Sequence, residues 1–504
     1  MTDRHNLHAA AAGRDRPRTP GRWHPLAAAL ITIGAMALVM QRGVTAGAEG
    51  GPRPNVVLML ADDQGWNGLS VAMAPDVAGG GKDGFRTPNL ERLAAAGMRF
   101  SAAYAPAPVC SPSRISLQTG MSPARLHWTK AAPREAGRRL LEPQNIRDIP
   151  ESLTTIAELL REAGYATAHY GKWHIGGGGP GAHGYDEHDG DTGNEHAFRF
   201  TDPNPVDIFG MADRAAAFME RSRDAGKPFF IQLSWNALHA PENARRATLE
   251  SYGASGDDVD KRTATLAITA DLDEGVGRVL EAIERLDLGR KTFVLYLSDN
   301  GSGGGGRNAT LSGGKGTLWE GGIRVPLIVR GPGVAPGSWC HVPVVGYDLL
   351  PTLCDWADVA PAKRAVTLDG GSIAPLLAHD GHGVVRRPRE ELVFHFPHYQ
   401  GGEGPHSAIR LGAMKLIHFH ETDTSRLFDL SRDRGERTDL AERDPDAARR
   451  LRTLLDEHLI ASNAQMPSRN PDFDPAAPAV ERRRGGKRGG PRRPDARPDE
   501  EARP

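Results

Sequence analysis

The sequence has few cysteines, only Cys110, Cys340 and Cys354 among its 504 residues. So small a number excludes a scaffold held together by many disulfides. If Cys110 has a chemical role, Cys340 and Cys354 are left either as a possible disulfide pair or as two buried, unpaired thiols. The sequence alone leaves both alternatives open.

The chain also lacks an excess of charge of one sign, since its formal net charge is -1. A nearly neutral protein gives no global electrostatic reason to expect binding to nucleic acid or to a membrane surface. No nucleic-acid partner is therefore expected. The hydrophobic content of 39% is instead typical of a globular protein with a large core.

The apolar run near the N-terminus is too short for a standard membrane span. Residues 26–40 cover roughly 15 positions, whereas a spanning helix needs about 20. The run follows Arg and His residues and precedes the small residues 45–48, which suit a signal-peptidase site. We predict an export segment at 1–48, a periplasmic or extracellular protein, and no stable membrane span; a retained anchor is the less favoured alternative.

Helical patterns alternate with apolar runs of strand length over most of the chain. The predicted strands are Asn55–Ala61, Tyr165–Tyr170, Phe229–Trp235, Thr292–Ser298 and Val325–Arg330. The predicted helices between and before them are Asn89–Ala96, Ser152–Ala163, Met211–Ser222 and Thr263–Leu286. Unbroken apolar strands suit a sheet that is covered on both faces. The pattern predicts an α/β fold with a mainly parallel central sheet between helices.

Polar side chains follow four of these strands, each just beyond the carboxyl end. They are Asp62, Asp63, Lys172, His174, His239, Asp299 and Asn300. Ligands bind at the carboxyl edge of open α/β sheets, so these residues predict a single active site there.

The stretch Pro108–Gly120 joins a loop to a predicted helix. Pro112 suits the first turn and Gly120 the position just past the end, which places Cys110 at the helix N-terminus. Unpaired backbone donors and the helix dipole favour an anion at that point. Arg114 lies one turn later on the same face and adds a forked cationic donor.

Four oxygen donors at the predicted sheet edge suit a hard cation, either Ca²⁺ or Mg²⁺. They are Asp62, Asp63, Asp299 and Asn300. Taken alone, each pair is also typical of an ordinary turn after a strand. Zinc is disfavoured because the set offers no nitrogen or sulfur ligand.

Four further residues could serve a tetrahedral anion whose charge grows during group transfer. They are Lys172, His174, His239 and Lys315. Individually, each has an ordinary explanation, because a lysine in a Gly-rich loop is usually solvated and a histidine after a strand often only packs.

Five motifs together resemble the type I sulfatases of the alkaline phosphatase-like superfamily. The signature is Cys110-Ser111-Pro112-Ser113-Arg114, extended to Thr119-Gly120. The other four motifs appear in the family's order: Asp62-Asp63-Gln64-Gly65, Gly171-Lys172-Trp173-His174, Asp299-Asn300-Gly301 and Gly313-Gly314-Lys315-Gly316. The resemblance runs from about Asn55 to about Leu459.

The resemblance implies a calcium-dependent hydrolysis of sulfate esters. Cys110 would be oxidised to formylglycine by a formylglycine-generating enzyme, and the hydrated aldehyde would attack sulfur to give a sulfo-enzyme intermediate. One Ca²⁺ per chain would be held by Asp62, Asp63, Cys110, Asp299 and Asn300. By the same resemblance, Arg114 and Lys172 would steady the charge, His174 would take a proton from the geminal hydroxyl, and His239 and Lys315 would bind the sulfate and protonate the leaving oxygen.

The chain is expected to divide into a catalytic domain (52–385), a small C-terminal α+β subdomain (386–464) and a disordered basic tail (465–504). Two alternatives to a sulfatase stay open: a phosphonate or phosphate-ester hydrolase of the same superfamily, and a non-catalytic binder of sulfated polysaccharide. The expected substrate is a sulfated carbohydrate or an aryl sulfate, and the sequence does not separate the two.

Overall fold

The computed structural model describes residues 53–256, 258–303, 310–359, 367–400 and 402–475. The predicted export segment, 1–48, lies outside these residues. Within the described part of the chain, no helix is both long enough and apolar enough to cross a membrane.

The structure alternates strands and helices, as predicted. The strands are β1 (Asn55–Ala61), β2 (Met98–Phe100), β3 (Ala103–Tyr104), β4 (Leu140–Leu141), β5 (Ala166–Gly171), β6 (Glu187–His188), β7 (Phe229–Ser234), β8 (Thr292–Ser298), β9 (Leu327–Arg330), β10 (Ser338–Cys340), β11 (Val344–Val345), β12 (Leu392–Phe396), β13 (His406–Leu411), β14 (Met414–Phe419), β15 (Thr424–Asp429) and β16 (Ser468–Arg469). The α-helices are α1 (Pro88–Ala95), α2 (Cys110–Thr119), α3 (Pro123–Leu126), α4 (Ile156–Glu162), α5 (Ile208–Asp224), α6 (Arg246–Ser251), α7 (Lys261–Arg285), α8 (Glu320–Ile323), α9 (Leu349–Trp356), α10 (Ala374–Ala378) and α11 (Pro445–Ala461). Short 3₁₀ helices cover Gly80–Asp83, Pro180–His183, Asn194–Arg199, Pro205–Asp207, Gly289–Lys291 and Gly346–Asp348.

The central sheet has the strand order β10-β2-β9-β8-β1-β7-β5-β6. β1 pairs in parallel with both β7 and β8, and β5 pairs in parallel with β7 and β6. Only β9 runs against its neighbours, β8 and β2. The mainly parallel α/β sheet is therefore confirmed.

Side chains of β1 alternate between two cores, one on each face of the sheet. Val57 and Met59 pack with residues of α1, α5 and α7. Val56 and Leu58 pack on the other face with residues of α2, α4 and α9. Burial on both faces explains why this strand is an unbroken apolar run rather than an alternating one.

A second, antiparallel sheet of order β12-β13-β14-β15 follows in the chain. One of its faces buries Ile409, Leu416 and Leu427 against α11. The opposite face packs against the central part of the protein, where Phe394 lies near Tyr104. The α+β texture predicted for this region is thus present.

Three details differ from the sequence expectations or resolve them. α4 begins at Ile156 rather than after Ser152, because Thr155 and Glu158 form a reciprocal capping box. Part of the predicted tail is paired with the body of the protein, since β16 forms an antiparallel pair with β4; residues 476–504 lie outside the described residues. Cys340 and Cys354 are both buried, and no disulfide joins them.

Candidate active site

The predicted carboxylates come together because the parallel strands β1 and β8 lie side by side and end at the same level. Ala61 pairs with Ser298, so Asp62 and Asp299 emerge side by side from adjacent parallel strands. The Asp299 N–H donates to Ala61 O at 3.1 Å, and the Asp63 N–H donates to the Asp299 Oδ1 at 3.2 Å. All three aspartates are buried.

Helix α2 starts at Cys110 and ends before Gly120, as expected. Val109 is the extended N-cap residue, and Gly120 has φ 69°, a left-handed conformation that glycine adopts without strain. Arg114, one turn after Cys110, donates from Nε to Asp299 Oδ2 at 2.9 Å and from Nη1 to Lys172 O at 2.6 Å. The guanidinium therefore links α2 to the ends of β8 and β5.

Two lysines neutralise the remaining carboxylates. Lys172 Nζ contacts Asp62 Oδ2, and Lys315 Nζ lies 2.6 Å from Asp63 Oδ1. Despite burial, Lys172 and Arg114 hold the pKa of Asp62 well below its usual value. Burial by itself lowers the pKa of Lys315, but the nearby charges of Asp63 and Asp62 outweigh burial and raise it.

The loop that carries Lys315 is tied by its backbone to the rest of the site. The Lys315 N–H donates to Ser302 O at 3.0 Å, and the Gly316 N–H donates to Pro108 O at 2.8 Å. Pro108 precedes Cys110, so the lysine loop and the cysteine loop are fixed to each other.

The oxygen donors fit a divalent cation. One oxygen from each of Asp62, Asp63 and Asp299 lies within 4.8 Å of the others. Asp62 Oδ1 and Asn300 Oδ1 are buried without a hydrogen-bond partner, an arrangement that a cation ligand would satisfy. Burial, together with Asp62, raises the pKa of Asp299 to about 8, and positive charge at this point would relieve that cost.

The two predicted histidines, His174 and His239, lie close enough to Asp62 and Lys172 for those charges to affect their pKa values. Burial, then Lys172 and Arg114, lower the pKa of His174 to about 3, and its Nδ1 is a buried atom without a partner. Burial also lowers the pKa of His239, and its Nδ1 lies 2.8 Å from Ala240 O. An Nδ1–H that donates to this carbonyl leaves the Nε2 lone pair of His239 available.

The structure thus brings the predicted site residues of the strand ends, of α2 and of the Lys315 loop together at the carboxyl edge of the central sheet. Cys110 lies one helical turn before Arg114, and Pro108, two residues before it, accepts from the Gly316 N–H beside Lys315. Whether Cys110 is also a cation ligand stays a prediction.

Sequence reasoning missed residues that support or adjoin the site. Thr192 accepts from the Trp173 N–H with its hydroxyl (3.1 Å) and from the His174 N–H with its carbonyl (2.8 Å), which orients the loop of Lys172 and His174. Trp128 and Arg147 line a neighbouring cavity. They come from loops without a periodic pattern, so no local signal could have revealed them.

The site pairs three buried carboxylates with three cations, and a divalent cation would leave it net positive. Fold and site together define an α/β enzyme that acts on esters of tetrahedral oxyanions at the carboxyl edge of its sheet.

The model of the Sulfatase family matches residues 54–359. The chain therefore belongs to this family, and it is a sulfate ester hydrolase. Residues 314–465 match the family described as N-sulphoglucosamine sulphohydrolase, C-terminal.

Known proteins of this kind align with most of the chain. N-acetylgalactosamine-6-sulfatase of Canis lupus familiaris is 33% identical over 70% of this chain and 71% of its own length. Arylsulfatase A of Homo sapiens is 30% identical over 77% and 83%. The crystal structure of Ps i-CgsB in complex with k-i-k-neocarrahexaose superimposes with a TM-score of 0.66 at 24% identity and covers 81% of this chain and 93% of that one. The similarity to Ps i-CgsB shows that the two chains share the same fold.

Proposed function

We propose that the protein hydrolyses sulfate monoesters with formylglycine, made from Cys110, as the nucleophile and with Ca²⁺ in the oxygen cluster. The observation that carries this proposal is the position of Cys110 at the N-terminus of α2, one turn before Arg114 and on a loop to which the Lys315 loop is hydrogen-bonded. A plain thiol would give an adduct without an easy release of sulfate, whereas a hydrated aldehyde has a second hydroxyl that can expel it.

The cations of the chain bind and orient the sulfate. Arg114 and Lys172 are fixed by Asp299 and Asp62, so they keep their orientation without reorganising during the reaction. Asp62, Asp63, Asp299 and Asn300 would hold the calcium ion, which supplies Lewis-acid stabilisation of the transferring group when bound.

The histidines move protons. Because its pKa is about 3, His174 is neutral near pH 7 and accepts a proton from the hydroxyl that expels sulfate. His239 and Lys315 would bind the sulfate and protonate the leaving oxygen; burial lowers the pKa of His239, and the negative charge of the bound sulfate would favour its protonated form.

The test compares Cys110→Ala with Cys354→Ala on 4-nitrocatechol sulfate, with the mass of the Cys110 peptide measured in the wild-type protein. We expect formylglycine in the active protein, no turnover by Cys110→Ala, and retained turnover by Cys354→Ala, which removes a buried thiol of the core. An unmodified thiol in fully active protein would overturn the proposal. An aryl phosphate diester, assayed in parallel, measures the choice between sulfur and phosphorus.

We further propose a sulfated carbohydrate as the natural substrate. Support comes from the name of the similar protein N-acetylgalactosamine-6-sulfatase and from the similar structure of Ps i-CgsB, which was solved in complex with k-i-k-neocarrahexaose. Hydrolysis of sulfated monosaccharides with a higher kcat/KM than that of 4-nitrocatechol sulfate is the expected result.

Export and maturation complete the proposal. The N-terminal pattern at 1–48 supports cleavage of a signal peptide and a periplasmic or extracellular site of action. A formylglycine-generating enzyme would be the maturation partner. N-terminal sequencing of the protein recovered outside the cytoplasm tests the export step, and an uncleaved N-terminus would contradict it.

A further inference from the structure

A cavity of about 270 Å³ opens beside the candidate active site. Ser111, the residue after Cys110, and His174 both line it, so the cavity adjoins the position of the scissile bond. Its volume is slightly below the ~300–1,000 Å³ that is typical of sites for drug-sized ligands. The cavity therefore suits one sugar ring rather than a longer segment of an oligosaccharide.

Two basic side chains line this cavity, but only one has an uncompensated charge. Lys130 is buried, and its Nζ donates to both oxygens of Glu142 at 2.9 Å. Glu142 is in turn fixed by the Tyr399 N–H at 2.9 Å, and His398 Nδ1 lies 3.1 Å from its other oxygen. Lys130 is thus already paired with Glu142 inside the protein, and its charge is not available to a ligand.

Arg147 is the other basic residue, and it lies exposed on the loop that precedes α4. Among the described residues, no carboxylate lies within ion-pair distance of its guanidinium, and no side-chain hydrogen bond engages it. A free guanidinium offers a planar fork of donors that matches a carboxylate or a sulfate.

Two carboxylates follow β6 in the chain, Asp191 in a loop and Glu195 in the 3₁₀ helix Asn194–Arg199. Asp191 and Glu195 line the same cavity and are both exposed. They would repel an anion placed on their side of the cavity and accept hydrogen bonds from hydroxyl groups. The cavity is therefore polarised, with a cation on one loop and acceptors on another.

We infer that this cavity is a leaving-group subsite for a sugar ring that carries a second anionic substituent, with Arg147 as the specificity-determining residue. The second anion, a carboxylate or another sulfate, pairs with Arg147, while ring hydroxyls donate to Asp191 and Glu195. This inference rests on the proposed function, because it assigns the ring whose sulfate is cleaved.

The experiment measures inhibition of 4-nitrocatechol sulfate hydrolysis, so it does not depend on which sulfate the enzyme removes. The inhibitors are galactose 6-sulfate, galactose 2,6-disulfate and a monosulfated uronic acid. For Arg147→Ala we expect the inhibition constants of the two doubly anionic sugars to rise about 10- to 100-fold, as is typical for loss of a charge-assisted pair. The inhibition constant of galactose 6-sulfate and the KM of the aryl sulfate should change less than about 2-fold.

The controls separate specificity from damage to the fold. Arg290→Ala removes an exposed arginine that precedes β8, at the opposite edge of the sheet, and should change none of these constants. Arg147→Lys should recover part of the preference, and the preference should weaken as ionic strength rises. The two doubly anionic sugars show whether the second charge is read as a sulfate or as a carboxylate.

Failure of this inference can be told apart from failure of the proposed function. Equal rises for all three sugars, or no rise for either doubly anionic sugar, overturn the subsite while aryl sulfate turnover still stands. If the wild-type protein hydrolyses neither the aryl sulfate nor any of the sulfated sugars, the proposed function fails and the subsite with it.

Discussion

Replacing Lys415 by Met should expose how much the protein depends on a buried charge cluster beneath the lysine loop. Lys415 Nζ lies 2.9 Å from Glu320 Oε1 and 2.7 Å from Glu436 Oε1, and only 1% of its side chain is exposed. Glu436 also accepts from the Glu320 N–H at 2.6 Å, which fixes the start of α8. The methionine side chain fills a similar volume without the charge.

We expect the substitution to lower the free energy of unfolding by about 3–5 kcal/mol at pH 8, because it leaves the buried Glu436 without its cation and leaves Glu320 paired with Arg324 alone. Burial already raises the pKa of Glu436 to about 7, whereas Lys415 opposes that rise. A carboxyl group with a raised folded pKa stabilises the protein below its unfolded pKa of about 4.5, and this contribution is lost as the pH rises through the folded value. The loss caused by Lys415→Met should therefore be smaller at pH 5 than at pH 8.

Guanidinium unfolding followed by tryptophan fluorescence at both pH values measures the effect. The matched control is Lys261→Met, because Lys261 lies 3.7 Å from Glu242 and is half exposed; it should change stability by less than about 1 kcal/mol. If Lys415→Met costs no more than Lys261→Met at pH 8, or if its cost does not depend on pH, the reasoning is refuted.

Two further predictions concern metal and pH. Dialysis against EGTA should lower aryl sulfate turnover at least ~100-fold, and adding back Ca²⁺ should restore turnover and raise the midpoint of guanidinium unfolding; an unchanged midpoint and rate in metal-free protein would contradict the cation site. Burial lowers the pKa of both His395 and His406 to about 4, so the unfolded chain binds protons at about 6.5 that the folded chain refuses. Stability should therefore fall as the pH drops from about 6.5 to 4, by up to about 3 kcal/mol for each histidine, and His395→Asn should flatten the measured slope.

The sequence was sufficient for the sheet and the catalytic edge because both depend on local pattern. The apolar run of β1 predicts a strand that is buried on both faces. The polar pair that begins at Asp62 directly after it predicts that ligands bind at the carboxyl end of this strand. The start of α4 was predicted wrongly at Ser152; the helix begins at Ile156, because Thr155 with Glu158 satisfies two backbone donors reciprocally and a lone serine does not.

Contacts between distant loops could not be predicted in this way. Arg147 and Asp191 share a cavity only because of the folded arrangement of their loops. Lys415 and Glu320 likewise look like ordinary surface charges in the sequence, and their burial depends on how the second sheet packs against the central part of the protein.

The adjacency of β1 and β8 also bears on how this molecule can vary. Asp63 and Asp299 are 236 positions apart, yet the strand register alone sets their spacing. Lengthening the intervening chain costs little, since each doubling of a flexible loop adds only about 0.6 kcal/mol of closure entropy. Loops such as those of Arg147 and Asp191 are thus free to diversify without moving the oxygen donors, whereas a recombinant fragment that stops before β8 contains only half of them.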